Sequence, residues 1–354
     1  MSKFLCSKYK NLTPYTPGEQ PKNTDFIKLN TNESPFAPSK KAIELAGIAA
    51  RSLQLYPDPE CSELTGLLSQ KLGVSQNEIL VTNGSDEILN FAFMAFCDKN
   101  TGAAFADITY GFYEVFANLN DVLYTKIPLK SDFSIDIKDY FNLSKTIFIA
   151  NPNAPTGLAL SPNEIEKILI NNHDNVVVLD EAYVDFGAQS CVPLIKKYDN
   201  LLVCRTFSKS RSMAGARLGF GVANSKLIND LNTIKYSTNP YNINKMTSAA
   251  GIGSLQDDLY NQKNIKTIIE NRRYLEDELL KLGFIFNPSS ANFVFVRHNK
   301  ISGEELYLKL KEKNILVRHF TLPEISDYNR ITIGTKEQMQ LLVKCIKEIL
   351  EEIK

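Results

Sequence analysis

LLVCRTFSKSRSMAGARLGFGVA, residues 201–223, places a polar loop with a single lysine between two apolar runs. LLVCRT (201–206) and LGFGVA (218–223) are short and almost unbroken in their apolar character, as strands buried on both faces are. Lys209 follows the first run, flanked by Ser208 and Ser210, and Arg217 stands eight residues further on. A cation at the end of a buried strand is costly unless it is paired or chemically used. Lys209 therefore either snorkels to solvent, as most lysines do, or serves a chemical purpose that the rest of the chain must disclose.

Working outward, similar runs recur as ILVT (79–82), AAFA (103–106), VLYTKI (122–127), TIFIA (146–150) and VVVLD (176–180), alternating with helical patterns. This alternation predicts an α/β fold with a mainly parallel central sheet covered on both faces. One crossover helix is specified almost residue by residue. In SPNEIEKILI (161–170), Ser161 is the N-cap, Pro162 the first helical residue and Glu164 the partner in a capping box. The unusual short motifs NGSDE (83–87), TYGFY (109–113), NPNAPTG (151–157), DEAY (180–183) and TFSKS (206–210) each follow a strand. Ligands of open parallel sheets bind beyond the carboxyl ends of the strands, so these motifs should meet at one edge.

A chain of 354 residues exceeds one ordinary core, which predicts a large and a small domain. The sequence suggests an N-terminal arm over 1–40, a large domain over 41–258 and a small α/β domain over 259–354. The small domain is introduced by a long amphipathic helix near 260–282, stopped at Gly283. Forty basic residues balance forty acidic ones, giving no global field for nucleic acid or a membrane surface. Six scattered cysteines without a CxxC pair and three separated histidines argue against a disulfide framework or a metal site, and for reduced thiols in a cytoplasmic protein. No run has the length of a signal-peptide core or a membrane span.

The motifs carry several chemistries. NGSDE at a helix start is either a plain N-cap or an anion site of free N–H groups. Asp180, ending VVVLD beside Glu181, needs a cationic partner or strong hydrogen bonds: a structural salt bridge, or a protonated heterocyclic nitrogen such as pyridoxal phosphate supplies. Tyr110 is core or an aromatic plate. Lys209 as a Schiff-base lysine, with Thr206, Ser208 and Arg217 as phosphate donors, uses all of these parts in one arrangement.

These motifs, together with LTPY (12–15), LNTNESPF (29–36), LYPDP (55–59), PYNIN (240–244) and RITIGT (330–335), run in order along nearly the whole chain. As a set they resemble the histidinol-phosphate aminotransferases within the aspartate-aminotransferase-like, fold-type I pyridoxal-phosphate enzymes. The resemblance implies pyridoxal 5′-phosphate as cofactor and no metal. Lys209 would carry the cofactor and shuttle the proton, Asp180 would hold the pyridine nitrogen protonated, Tyr183 would bond the phenolic oxygen and Tyr110 would stack on the ring. Backbone donors at Gly84, Ser85 and Asp86, with Thr206, Ser208 and Arg217, would hold the phosphate. Tyr56 would reach that phosphate from the neighbouring subunit of a homodimer with shared active sites.

One position departs from the pattern. Ala154 stands where many relatives have an asparagine bonding the phenolic oxygen, leaving Tyr183 or Asn153 to compensate. For the substrates, the resemblance implies Arg330, assisted by Arg318, as the site for the carboxylate of glutamate or 2-oxoglutarate and for the phosphate of histidinol phosphate, with Tyr15 and Asn292 closing the pocket. The implied reaction converts histidinol phosphate and 2-oxoglutarate to imidazole-acetol phosphate and glutamate, in histidine biosynthesis. The alternatives are an aminotransferase of another phosphorylated ketone, a threonine-phosphate-type decarboxylase, or a non-catalytic binding protein on the same scaffold.

Overall fold

In the computed structural model, which describes residues 2–10, 12–21 and 26–353, the apolar runs become strands of one sheet. A short strand β1 (Ile27–Lys28) and helices α1 (Lys40–Ala49) and α2 (Ser62–Leu72) come first. Strands β2 (Ile79–Thr82), β3 (Ala103–Ala106), β4 (Tyr124–Ile127), β5 (Thr146–Ala150), β6 (Val177–Asp180), β7 (Leu201–Thr206) and β8 (Gly219–Ala223) follow. Among them lie α3 (Ser85–Phe96), α4 (Phe112–Leu119) and α5 (Pro162–Ile170). The sheet order is β2-β8-β7-β6-β5-β3-β4, and β8 alone runs against its neighbours. A buried apolar run carries no mark of direction, so this one antiparallel strand could not be read from the pattern.

The pleat explains why these strands are apolar throughout. Successive side chains point to opposite faces, and each face has its own core. Ile147, Ile149, Val177, Leu179, Leu201 and Val203 pack on one side with α2 and α5. Phe148, Val178, Leu202 and Cys204 pack on the other with α3, α4 and α6 (Ser225–Thr238). There Phe93 of α3 stacks on Phe148 with ring centroids 4.0 Å apart. Burying one such side chain contributes about 1.5–3 kcal/mol, so loss of alternation would be felt at once. The capping box of α5 forms as the sequence predicts: the Ser161 hydroxyl accepts from Glu164 N–H and the Glu164 carboxylate accepts from Ser161 N–H.

After α7 (Lys245–Gln256) comes the long helix α8 (Asp258–Lys281), and Gly283 beyond it takes the left-handed φ of +84°. Strands β9 (Phe284–Phe286), β10 (Phe293–His298), β11 (Ile315–Leu316), β12 (Arg318–His319) and β13 (Asn329–Thr332), with α9 (Gly303–Glu312) and α10 (Lys336–Glu352), complete the chain. A four-stranded antiparallel sheet runs β12-β13-β10-β9. Its core takes Ile268, Leu275 and Leu279 from α8 and Leu29 from the N-terminal segment. Parallel pairing of β1 with β11 fastens that segment to the same body. Arg272 of α8 then donates to the carbonyls of Phe186 and Ala291 at 2.9 and 2.5 Å, fixing the loop after β6 against the entry to β10.

Candidate active site

Beyond the carboxyl ends of the parallel strands lies a cavity of about 590 Å³. Its walls come from the N-terminal segment, the start of α3 and the loops after β3, β5, β6 and β7. It is where the open-sheet rule puts a ligand.

Asp180 and Glu181 are neighbours in sequence but not in role, because the strand sends them to opposite sides. Glu181 lies 3.7 Å from Arg205 and accepts from Ser190 Oγ and Cys191 N–H at 2.7 and 2.5 Å. Asp180 faces the cavity, accepting from the Tyr113 hydroxyl at 3.3 Å and from Ala182 N–H at 3.1 Å. No cation among the described residues forms an ion pair with it. Burial, the largest influence, pushes its pKa up to about 7. The salt bridge that one of two carboxylates could make thus belongs to Glu181, and Asp180 is the one left facing the cavity.

The opposite end of the cavity is rich in donors. Helix α3 begins after Gly84, which has φ +78° and no side-chain cap. Among the described residues the N–H groups of Ser85 and Asp86 have no acceptor, whereas that of Gly84 donates to Thr82 O at 2.9 Å. The Thr206 and Ser208 hydroxyls lie 2.9 Å apart, and Arg217 reaches Ser208 Oγ at 3.4 Å and Asp86 at 3.0 Å. Arg217 itself adopts a left-handed φ of +53°, a local strain that functional sites tolerate. Free helix-start N–H groups, two hydroxyls and a guanidinium form an anion cradle.

Between these ends sits Lys209, whose Nζ donates to Thr31 O at 3.2 Å and lies 5.5 Å from the centre of the Tyr183 ring. The Tyr183 oxygen accepts from Asn32 Nδ2 at 2.9 Å. Tyr110 donates to Asp86 at 2.7 Å, and burial above all raises its phenol well above the ordinary range. Tyr15 stacks on Phe112 with centroids 4.3 Å apart and lines the same wall.

Arg318 and Arg330 face each other in register across β12 and β13. Arg330 is held between the rings of Phe293 and Phe320, at 5.3 and 5.9 Å, and donates to Asn30 O at 3.1 Å. Its Nε has no partner among the described residues, and burial lowers its pKa. Neither guanidinium has a carboxylate partner among the described residues. They stand just behind the cavity wall, where Gly18 packs near Arg318.

Three expected residues lie elsewhere. Asn153 has its amide taken up by Ile108 O, Thr156 Oγ1 and Thr109 Oγ1, at 2.9, 3.2 and 2.7 Å, so it braces the loop and does not line the cavity. Its neighbour Ala154 does line it, packed on Ala291, Phe293 and Tyr183. Asn292 is fully buried and donates to Asn32 O at 3.0 Å. Tyr56 is 79% exposed, far from its own cavity's lining, and stacks on Tyr241 with centroids 4.7 Å apart. Sequence reasoning missed Tyr113 and Asn32. Asn32 alone offered a signal, since asparagine is one of the few side chains that accept a left-handed φ, here +57°.

The model of aminotransferase class I and II matches residues 24–346. A histidinol-phosphate aminotransferase of Brachyspira hyodysenteriae is 50% identical over 355 residues, covering 99% of this chain and 100% of that one. The crystal structure of the histidinol-phosphate aminotransferase from Clostridium acetobutylicum superposes with a TM-score of 0.84 at 27% identity, covering 92% and 99% of the two chains. That of Sinorhizobium meliloti, in complex with pyridoxal-5′-phosphate, gives 0.85 at 21% identity over 93% and 92%. Matched from its N-terminal segment into its last helix, with Lys209 and Asp180 facing one cavity, this chain belongs to the class I and II aminotransferases.

Proposed function

We propose that the chain moves the amino group of histidinol phosphate to 2-oxoglutarate, yielding imidazole-acetol phosphate and glutamate, as a step of histidine biosynthesis. The observation that carries this reading is the convergence on one cavity of Lys209, the donor-rich start of α3 and an Asp180 in no ion pair among the described residues, in a chain 50% identical over its full length to a histidinol-phosphate aminotransferase.

The residues fit pyridoxal phosphate. Asp180, buried and without a cation, suits a protonated ring nitrogen. Ser85 and Asp86 N–H, Thr206, Ser208 and Arg217 suit its phosphate. Bound there, the group supplies an electron sink for the bond broken at the substrate's α-carbon. Lys209 would anchor the group and carry the proton at the substrate's α-carbon. Tyr183 would offer its hydroxyl proton to the group and Tyr110 would bound one side of it. Arg318 and Arg330 hold the phosphate of histidinol phosphate in one half-reaction and a carboxylate of 2-oxoglutarate in the other, because a guanidinium fork matches both anions. Tyr15 closes the aromatic wall, and Asn292 acts from beneath through Asn32.

The working unit in this reading is a cytoplasmic homodimer, divided as an arm (1–40), a large domain (41–258) and a small domain (259–354). An exposed Tyr56 stacked on Tyr241 supports this: it is not part of its own cavity's lining and is available to a second copy's phosphate end. The test is a single half-reaction. Chain loaded with pyridoxal phosphate receives histidinol phosphate without keto acid, and one equivalent of imidazole-acetol phosphate with the cofactor's amine form is the expected result. Inertness toward histidinol phosphate, with carbon dioxide released from a phosphorylated amino acid instead, would establish the decarboxylase reading.

A further inference from the structure

Asn32 has every polar group engaged. Its N–H donates to Thr332 Oγ1 at 3.0 Å, and its carbonyl accepts from Asn292 Nδ2 at 3.0 Å. Its Oδ1 accepts from Thr332 Oγ1 at 3.1 Å, and its Nδ2 donates to the Tyr183 oxygen at 2.9 Å. The Thr332 hydroxyl accepts from the Asn32 N–H and gives its one proton to Oδ1, and with the amide oxygen engaged there the NH₂ faces Tyr183.

A phenol hydroxyl has one proton too. With Asn32 donating into the oxygen, the Tyr183 proton must point elsewhere, and it has no acceptor among the described residues. The Tyr183 ring is pinned edge-on against Phe293, centroids 5.1 Å apart, and lines the cavity. The adjoining position offers only the methyl of Ala154, and the Asn153 amide is committed to Ile108 O and Thr156 Oγ1. The basic side chains near the ring are Lys209, 5.5 Å from its centre, and Arg330, and neither accepts a hydrogen bond from Tyr183.

Resting on the cofactor reading above, we infer that Asn32 is a positioning residue that makes Tyr183 a one-way donor into the cavity, and that Thr332 sets Asn32. Thr332 lies on β13 two residues from Arg330, so the strand that carries the substrate's anion site also holds the chain of hydrogen bonds ending at the cofactor's ring oxygen. The relay takes the place of a donor at position 154.

The test uses the full chain loaded with pyridoxal phosphate and reads the pH midpoint of its visible absorption band. Asn32→Gly removes the amide and keeps a residue suited to the left-handed backbone. Without Asn32 the Tyr183 hydroxyl is no longer polarised or aimed, its bond to an anionic ring oxygen weakens, and the midpoint should rise by about one pH unit. Thr332→Val should shift it the same way by less, and Ala154→Asn in the Asn32→Gly background should bring it back down. A folded, loaded Asn32→Gly chain with the wild-type midpoint overturns the inference. Should that variant not fold, a wild-type midpoint in Thr332→Val overturns it instead. A wild-type chain that binds no pyridoxal phosphate overturns the cofactor reading itself, whereas a wild type that titrates beside unmoved variants overturns only the relay.

Discussion

Lys209 Nζ donates to the carbonyl of Thr31 at 3.2 Å, joining residues 178 positions apart. Thr31 belongs to the segment that β1 fastens to the small body, so the lysine at the end of β7 is held from both bodies at once. Lys209→Ala should cut transamination by at least about a thousandfold, since nucleophile and proton carrier are lost together. Steady-state assay beside thermal melting checks this: turnover disappears, the melting temperature scarcely moves, and pyridoxal phosphate is retained without covalent attachment.

Asp180 predicts a pH dependence of the cofactor-free chain. Its carboxyl titrates near 7 in the fold, against about 3.9 when unfolded. Between those values the folded chain holds a proton that the unfolded chain has released. Stability from this group therefore falls as pH rises through the window, and the penalty is complete above it. Asp180→Asn should raise the melting temperature of the cofactor-free chain by a few degrees at about pH 8 and leave it unchanged at about pH 4. The same substitution should abolish turnover. Equal shifts at both pH values would mean that the carboxylate's charge is not what burial penalises.

Gly219 tests the anion cradle without touching a donor. A Cβ there would lie 2.5 Å from Gly84 C and Ser85 N, backbone atoms that cannot yield cheaply. At Gly221, two residues along β8, the obstacle is the flexible tip of Ile88, at 2.7 Å. Both alanine variants should lose about 1–3 kcal/mol of stability from overpacking. Only Gly219→Ala should also weaken pyridoxal phosphate binding, by about tenfold or more, because it displaces the N–H groups of α3. Equal affinities in the two variants would remove the start of α3 from the phosphate site.

The parts of this site that could be read from the sequence are those whose chemistry is local. Lys209 directly follows a strand, Asp180 ends one, and Ser161 and Glu164 cap a helix within four residues. The parts that could not be read are contacts that only the folded topology creates. Tyr113 reaches Asp180 across 67 residues and Asn32 reaches Tyr183 across 151. TYGFY offers two tyrosines, and nothing in their order says that Tyr110 faces the cavity while Tyr113 lies beneath the carboxylate. Asn153 is adjacent to Ala154, but its amide turns away from the cavity to satisfy Ile108 O and the Thr109 hydroxyl in the loop after β3.

The paired arginines separate substrate recognition from cofactor chemistry. Arg318 and Arg330 sit side by side without a counter-ion, and neither reaches the donor set at the start of α3. Arg330→Lys keeps the charge but loses the fork that a phosphate or carboxylate engages with two parallel bonds. Its KM for histidinol phosphate should rise about ten- to a hundredfold, the equivalent of about 1.5–3 kcal/mol for a charge-assisted bond. Arg318→Ala should raise KM by less, because the buried Arg330 remains. In both variants the affinity for pyridoxal phosphate should match the wild type. Kinetics with histidinol phosphate and with glutamate then decide what the pair reads. Parallel losses on both substrates assign one shared anion site, whereas a loss confined to glutamate would leave the phosphate of histidinol phosphate to be held elsewhere in the cavity.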